Sequence, residues 1–311
     1  MASNSSYYLG IDGGGTHSRM AVVGQDGKMI GCYQGASTNI TANPVDVVRQ
    51  HLVSLLDTFL QSSKRSLASC AGLCIGSAGV DTPYHAQMME NIFLEMGLQC
   101  PLKVINDGEL ILWAELEADA GVALISGTGS VAFGKNKQGD TKRVGGWGHL
   151  FDDVGSGYWI GIEGLNKAFL SYDGRGPKSM LEQQFVAHFQ VGSLAESILP
   201  IYETGGNKAL LAQLSKIVKE TAEMGDEVAV DILQRAAEQL FAHIQTLAKD
   251  LSMQEEHFII SASGGTIENN PMIQRHLQKR IQTQYPRASF RLSQQAPVMG
   301  ASYLARQIAP S

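Results

Sequence analysis

Three glycine-rich turns, each placed directly after an apparent strand, constrain this chain more than any other feature. They lie at residues 13–15 in "YLGIDGGGT", at 127–129 in "ISGTGS" and at 264–265 in "SASGGT". Glycine lets backbone approach backbone or ligand where a Cβ would block it, and it adopts turn conformations at no steric cost. The first two turns are each followed by a second strand-like run, "SRMAVVG" and "SVAFGKN". The chain therefore reads as a duplicated α/β architecture, each half built on a strand–glycine–strand hairpin. In the first half, Asp26-Gly27 marks a further hairpin turn before "MIGCYQG". Val48, Leu52, Leu55, Leu56 and Phe59 then recur at helical spacing, with Asn43 and Pro44 as the predicted N-cap and first-turn pair. "CAGLCIGSAG" and "PLKVINDG" read as strands, and "AQMMENIFLEMG" as a helix closed by Gly97. In the second half, residues 207–251 predict two helices broken near Gly225-Asp226, before the strand "HFIISASGG" and a terminal helix in "APVMGASYLARQIA".

The length favours two domains, or one large one, over a single small core. The 311 residues are 44% hydrophobic and 17% charged, with a formal charge of −6. A mildly acidic chain without a basic run is a poor binder of nucleic acid or anionic membrane. No apolar run approaches the roughly eighteen residues of a membrane span. "MASNSSYY" lacks the basic and apolar regions of a secretory signal, so a cytoplasmic location is expected. The four cysteines, Cys32, Cys70, Cys74 and Cys100, form no C-x-x-C pair and read as reduced thiols.

The glycines of "DGGGT" suit a polyphosphate. Gly13, Gly14 and Gly15 can turn amide N–H groups toward an anion, and Thr16 adds a hydroxyl. Asp12 would repel that anion, so its natural task is to hold a divalent cation such as Mg²⁺ through water. The plain alternative is a tight hairpin with no ligand. A dinucleotide fingerprint fails, because Ser18 stands where its third glycine belongs and a strand follows. No Walker Gly-Lys-Ser/Thr sequence is present. "ISGTGS" repeats the device, so that Gly127, Thr128 and Gly129 could wrap the same phosphate tail.

"GIDGGGT", "INDGE", "ISGTGS" and "GGWGHLFDDVGSGYWIG" together resemble the sugar-kinase, heat-shock-chaperone and actin superfamily. Within it they resemble the N-acetylglucosamine kinase branch related to the BadF/BadG ATPases. The resemblance is specific over residues 8–165 and looser beyond. It implies an α/β fold of two ribonuclease-H-like, actin-like ATPase lobes with an active-site cleft between them. The lobes would span 1–117 plus 296–311, and 118–295. The substrates implied are ATP with Mg²⁺ and a small-molecule amino sugar, phosphorylated on its 6-hydroxyl. N-acetylglucosamine is the leading acceptor, with glucosamine and N-acetylmuramic acid as alternatives. A homodimer is suggested by relatives of this type, with no interface legible in the chain.

Asp107 ends the strand "KVIN" and precedes a glycine, so it can project from the sheet. In the resembled kinases the matching aspartate takes the proton of the sugar hydroxyl. A strand-terminal Asx turn is the plain alternative. In "GASTNIT" the "STN" segment resembles the family's sugar loop, naming Thr38 and Asn39, or else it is a loop capped by Thr41 or Asn43. Ser77 of "IGSAG" resembles a segment under the sugar. Gly146, Trp147 and Asp153 could form a carbohydrate wall of aromatic and acid. Asp153 matches the family acid that bonds the sugar, although Val154 stands where the family usually has Glu. His149 reads as structural. Gly264 and Gly265 are the adenosine candidates. Two other classes share the nucleotide loops: a redox activator of 2-hydroxyacyl-CoA dehydratases, which would need cluster-binding cysteines in its later half, and a non-catalytic sensor.

Overall fold

The computed structural model describes residues 6–117, 119–203 and 205–310. Among the described residues ten strands are formed: β1 Tyr7–Gly13, β2 His17–Gly24, β3 Met29–Ala36, β4 Cys70–Ser77, β5 Leu102–Asn106, β6 Gly121–Ser126, β7 Ser130–Lys135, β8 Thr141–Gly145, β9 Ile259–Ser263 and β10 Ser289–Leu292. The helices of the first unit are α1 Val45–Ser63, α2 Pro83–Glu95 and α3 Leu110–Leu116. Those of the second are α4 Gly157–Tyr172, α5 Leu181–Phe189, α6 Ile198–Glu203, α7 Lys208–Gln213, α8 Ser215–Glu223, α9 Glu227–Asp250, α10 Gly265–Glu268 and α11 Pro271–Gln284. The last helix, α12 Pro297–Gln307, returns to the first unit. The chain divides into one compact unit of Met1–Ala118 with Gln294–Ser311, and another of Asp119–Ser293.

Each unit carries one five-stranded sheet, in the orders β3-β2-β1-β4-β5 and β10-β9-β6-β7-β8. The two orders are the same topology. An antiparallel meander of three strands is extended by two strands parallel to its first. This is the mixed sheet of the ribonuclease-H-like fold, present twice. The duplication expected from the glycine turns is thus realised strand for strand.

The first core forms where Tyr7, Leu9 and Ile11 of β1 meet Leu52, Leu55 and Phe59 of α1, all buried. Tyr7 and Phe59 pack edge to face at 5.0 Å. The other side of β1 is covered by α12, whose backbone lies so close that a Cβ on Gly10 would come within 2.3 Å of Ser302 N. Gly72 meets Ala305 O, and Gly300 meets Leu110 O, in the same way, so three glycines set the depth of this helix. In the second unit α9 presents Ile232, Leu233, Leu240, Phe241, Ile244 and Leu247 to the core.

Three local expectations differ from the structure. Asn43 does not cap α1: Pro44 occupies that position without a side-chain bond, and Asn43 turns its amide back to Asn39 O at 3.0 Å. The helical stretch 207–251 breaks twice, at Leu214 as well as at Gly225, because Leu214 ends α7 and opens α8. Strands β8 ("TKRVG") and β10 ("SFRL") escape sequence reading because both are short sheet edges: β8 does not alternate, and β10 alternates over only four residues, with Phe290 and Leu292 inward.

Glu115 ties the segment leading into α12 to α3. Its Oε1 accepts the amides of Gln294 and Gln295 at 2.9 and 2.8 Å, and the side chain is buried. Glu115→Ala removes the charged acceptor of two part-buried amide hydrogen bonds and is expected to cost about 1–3 kcal/mol in urea unfolding. Glu115→Gln, which keeps an acceptor, is expected to cost less. Equal losses in both variants would assign the effect to packing.

Candidate functional site

In the first unit, the β1–β2 turn and the end of β5 bring two acids together. Asp12 is mostly buried, and burial pushes its carboxyl up to about 6. The Asp107 charge adds to that rise, and Arg19, its cross-strand partner, opposes it. Asp107 is also raised, by burial first and by the Asp81 charge, with the Gly108 amide pulling the other way. That amide donates to Asp107 Oδ1 at 3.0 Å and to Asn106 Oδ1 at 2.9 Å. Asn106 Nδ2 in turn donates to Asp81 Oδ1 at 3.0 Å. The Asx turn therefore belongs to Asn106, and it leaves Asp107 Oδ2 outside that network.

Gly13 is required by contact rather than by conformation. A Cβ there would fall 2.0 Å from Thr38 Oγ1 and 3.2 Å from Ser77 Oγ. Thr38 and Ser77 are both 0% exposed and bond each other at 3.0 Å, while Ser77 Oγ donates to Thr38 O at 2.9 Å. With no accessible surface they brace the Gly13 turn from beneath, in place of the sugar contact expected of them. Gly15 and Thr16 are exposed, and Gly14 is partly so. Asn39 lies beside Gly15, its Nδ2 3.9 Å from the position a Cβ would take. Its Oδ1 accepts from Thr41 N, Thr41 Oγ1 and Ala42 N at 3.0, 2.8 and 3.1 Å, so Nδ2 is the group it can offer.

In the second unit the β6–β7 turn meets the loop after β9. Gly127 N closes the turn onto Gly129 O at 2.9 Å. Gly127 O accepts from Gly157 N and Thr266 Oγ1, both at 2.8 Å, and Thr128 O accepts from Tyr158 N. These bonds hold the carbonyls inward, leaving the Thr128 and Gly129 amides as the turn's uncommitted donors. Gly264, at φ +101°, could not carry a Cβ, which would lie 2.6 Å from the Ser126 carbonyl. Gly127, Thr128 and Gly265 line a pocket of about 670 Å³, with Ala209 and Ala212 of α7, Lys216 of α8 and Asn269 on its other walls. Gly264 shapes this pocket from behind without lining it.

The run 145–153 splits. Gly145 and Gly146 both have positive φ, and Trp147 is 69% exposed with the Arg143 guanidinium 4.8 Å from its ring centre. Leu150 and Phe151 are also exposed, and His149 packs edge-on against Tyr158, a structural placement. Asp153 is different. It is 3% exposed, at φ +58°, with Oδ1 accepting from Ser130 N at 3.1 Å and Oδ2 2.6 Å from Lys208 Nζ. Its carboxylate faces the glycine turn instead of standing open as a sugar wall.

Among the described residues no group of three or more His, Cys, Asp or Glu could hold a metal. A lone hard carboxylate such as Asp12 fits only a cation that keeps most of its water, as Mg²⁺ does. No described helix is long and apolar enough to cross a membrane.

The sequence pattern of the BadF/BadG/BcrA/BcrD ATPase family matches residues 9–305. The chain belongs to this ATPase family. An N-acetylmuramic acid/N-acetylglucosamine kinase of Clostridium acetobutylicum is 34% identical over 301 residues, covering 96% of this chain and 98% of that protein. An N-acetyl-D-glucosamine kinase of Dictyostelium discoideum is 29% identical over 96% and 97% of the two chains. Among solved structures, a putative N-acetylglucosamine kinase from Chromobacterium violaceum superposes with a TM-score of 0.71 at 22% identity, covering 98% of this chain and 100% of that one. The ATPase fold therefore extends over both units.

Sequence reasoning missed Lys208, Ala209 and Ala212, which sit on a six-residue helix without a motif. It also missed Asp81, whose link to Asn106 crosses 25 residues of chain. Glu268, which accepts the Gly264 amide at 2.8 Å, is readable only once α10 is known.

Two outcomes follow from these contacts. Because Asp12 holds its proton to about pH 6 against an ordinary 3.8, the folded chain binds more protons between those values, and stability falls as pH rises through that window. Asp12→Asn is expected to be more stable than the parent at pH 8, by on the order of 2–3 kcal/mol, and no different below pH 4. Denaturant melts across pH 4–8 measure this, and a gap that does not change with pH would contradict it. Gly264→Ala is expected to cost roughly 1–3 kcal/mol from backbone strain alone, read in the same assay.

Proposed function

We propose that this ATPase-family chain transfers the terminal phosphoryl group of ATP to an amino sugar, with the 6-hydroxyl of N-acetylglucosamine as acceptor. The observation that carries the reading is Asp107. It closes β5, its Oδ1 is fixed by the Gly108 amide, and burial holds its carboxyl above the usual range. A raised carboxyl pKa makes a stronger base, and geometry of this kind suits removal of a proton from an alcohol. The names of the similar kinases from Clostridium acetobutylicum and Dictyostelium discoideum support the substrate class.

The nucleotide is assigned to the glycine turns. The phosphate-binding candidates are Gly13, Gly14, Gly15 and Thr16 in the first unit and Thr128 and Gly129 in the second. Gly127 holds the second turn's shape, and Gly265 with the pocket beside it would take the adenosine. Asp12 would hold Mg²⁺, which supplies charge neutralisation at the phosphates when bound. On the sugar side the candidates are Asn39 Nδ2, the Gly146 backbone, the exposed Trp147 ring, whose flat face suits a pyranose, and Asp153 once its carboxylate is released. Thr38 and Ser77 support the loop that carries Asn39. A cytoplasmic setting and a homodimer complete the proposal, and light scattering on the purified chain checks the latter.

A dehydratase activator is disfavoured by cysteine placement. Cys70 and Cys74 are buried, and the Cys100 thiol lies 3.5 Å from Cys70 Sγ, all within the first unit.

A coupled ADP-release assay over glucose, glucosamine, N-acetylglucosamine and N-acetylmuramic acid tests the reading. N-acetylglucosamine is expected to give the highest kcat/KM. Asp107→Asn is expected to lower kcat about 10²–10⁴-fold while leaving ATP and sugar affinities within a few-fold. Near-parent turnover in that variant would remove the assignment of Asp107.

A further inference from the structure

Asp153 and Lys208 form an ion pair in an unusual place. The Asp153 side chain is 4% exposed, and Oδ2 accepts no well-angled hydrogen bond although Lys208 Nζ stands 2.6 Å away. The ammonium therefore meets this oxygen as a charge, without hydrogen-bond geometry. The pair lies against the β6–β7 turn: at Gly129, the position of a Cβ falls 2.8 Å from both Asp153 Oδ1 and Lys208 Nζ. Lys208 begins α7, the helix whose next residues, Ala209 and Ala212, wall the pocket shared with Gly127 and Thr128. The Lys208 side chain is one-third exposed, whereas that of its partner is 4% exposed.

These contacts place a lysine ammonium directly beside the amides assigned above to nucleotide phosphate. A phosphate arriving at Thr128 and Gly129 brings more negative charge, and more acceptor oxygens, than the one poorly angled carboxylate oxygen that Lys208 now holds. A lysine has a flexible stem and three donors, so it can change partners without moving its helix. Resting on the proposed kinase reading, we propose that Lys208 is a phosphate-binding residue stored on Asp153: it exchanges the carboxylate for the phosphate tail of the nucleotide. The exchange frees Asp153 Oδ2, whose remaining anchor is the Ser130 amide on Oδ1. A carboxylate released in this way can accept a hydroxyl, so nucleotide binding prepares Asp153 for the sugar. One ion pair thereby accounts both for the burial of Asp153 and for a cation next to a glycine turn.

The test separates phosphate contact from support of the fold. Binding of AMP-PNP and of adenosine is measured calorimetrically for the parent chain, Lys208→Met and Asp153→Asn. Lys208→Met is expected to weaken AMP-PNP by roughly 10-fold or more, the usual worth of a hydrogen bond to a charged group, and to leave adenosine within two-fold. Asp153→Asn keeps the Oδ1 acceptor for Ser130 but removes the competing charge, so AMP-PNP is expected to bind as tightly as to the parent or more tightly. Loss of both ligands alike in Lys208→Met, no loss of either, or weaker AMP-PNP binding in Asp153→Asn would each overturn the exchange while leaving the kinase reading intact. Failure of the parent chain to bind AMP-PNP would remove the nucleotide site itself, and the exchange with it.

Discussion

Close approach of backbone to backbone, allowed only where a side chain is missing, is the constraint on which both units rest. At Gly264 the β9 loop presses on the Ser126 carbonyl, and at Gly13 the β1–β2 turn presses on Thr38 and Ser77. At Gly10, Gly72 and Gly300 the same economy of volume seats α12 against β1, β4 and α3. Each contact is a place where a Cβ would collide with backbone or with a buried hydroxyl, so the turns are held by packing from behind. A turn held in this way can direct its amides outward without collapsing onto itself, which is what anion binding by backbone requires.

The charges around the turns are arranged at some cost to stability. Asp12 and Asp107 are partly buried near one another, and each is pushed toward its neutral form. A positive charge placed beside them would lower that cost. The second unit handles its buried acid differently, by giving Asp153 a lysine. The two acids of the first unit are left to repel, whereas the acid of the second is neutralised by a side chain able to move.

Much of the architecture was readable because its signals are local. The glycine turns, the Asp26-Gly27 hairpin and the spacing of Val48, Leu52, Leu55, Leu56 and Phe59 depend on near neighbours in the chain, and the structure realises each. Edge strands β8 and β10 were not legible, since β8 does not alternate and the alternation of β10 spans only four residues. The candidate site was legible at the level of segments and less so at the level of atoms. Thr38, Ser77 and Asp153 lie in the expected loops, yet their polar atoms are spent on each other, on Ser130 and on Lys208. Such commitments link residues 23 or more positions apart, as in Asp153 with Ser130, and no pattern along the chain encodes them.

The proposed function requires that the glycine turns at 13–16 and 127–130 bind nucleotide phosphate. Amide hydrogen exchange, compared for AMP-PNP and adenosine, tests it most directly. The account predicts that AMP-PNP slows exchange in the peptides containing residues 13–16 and 127–130, and that adenosine slows it only around 264–266 and the pocket walls. Unchanged exchange at both turns under saturating AMP-PNP, with protection confined to other segments, would contradict it.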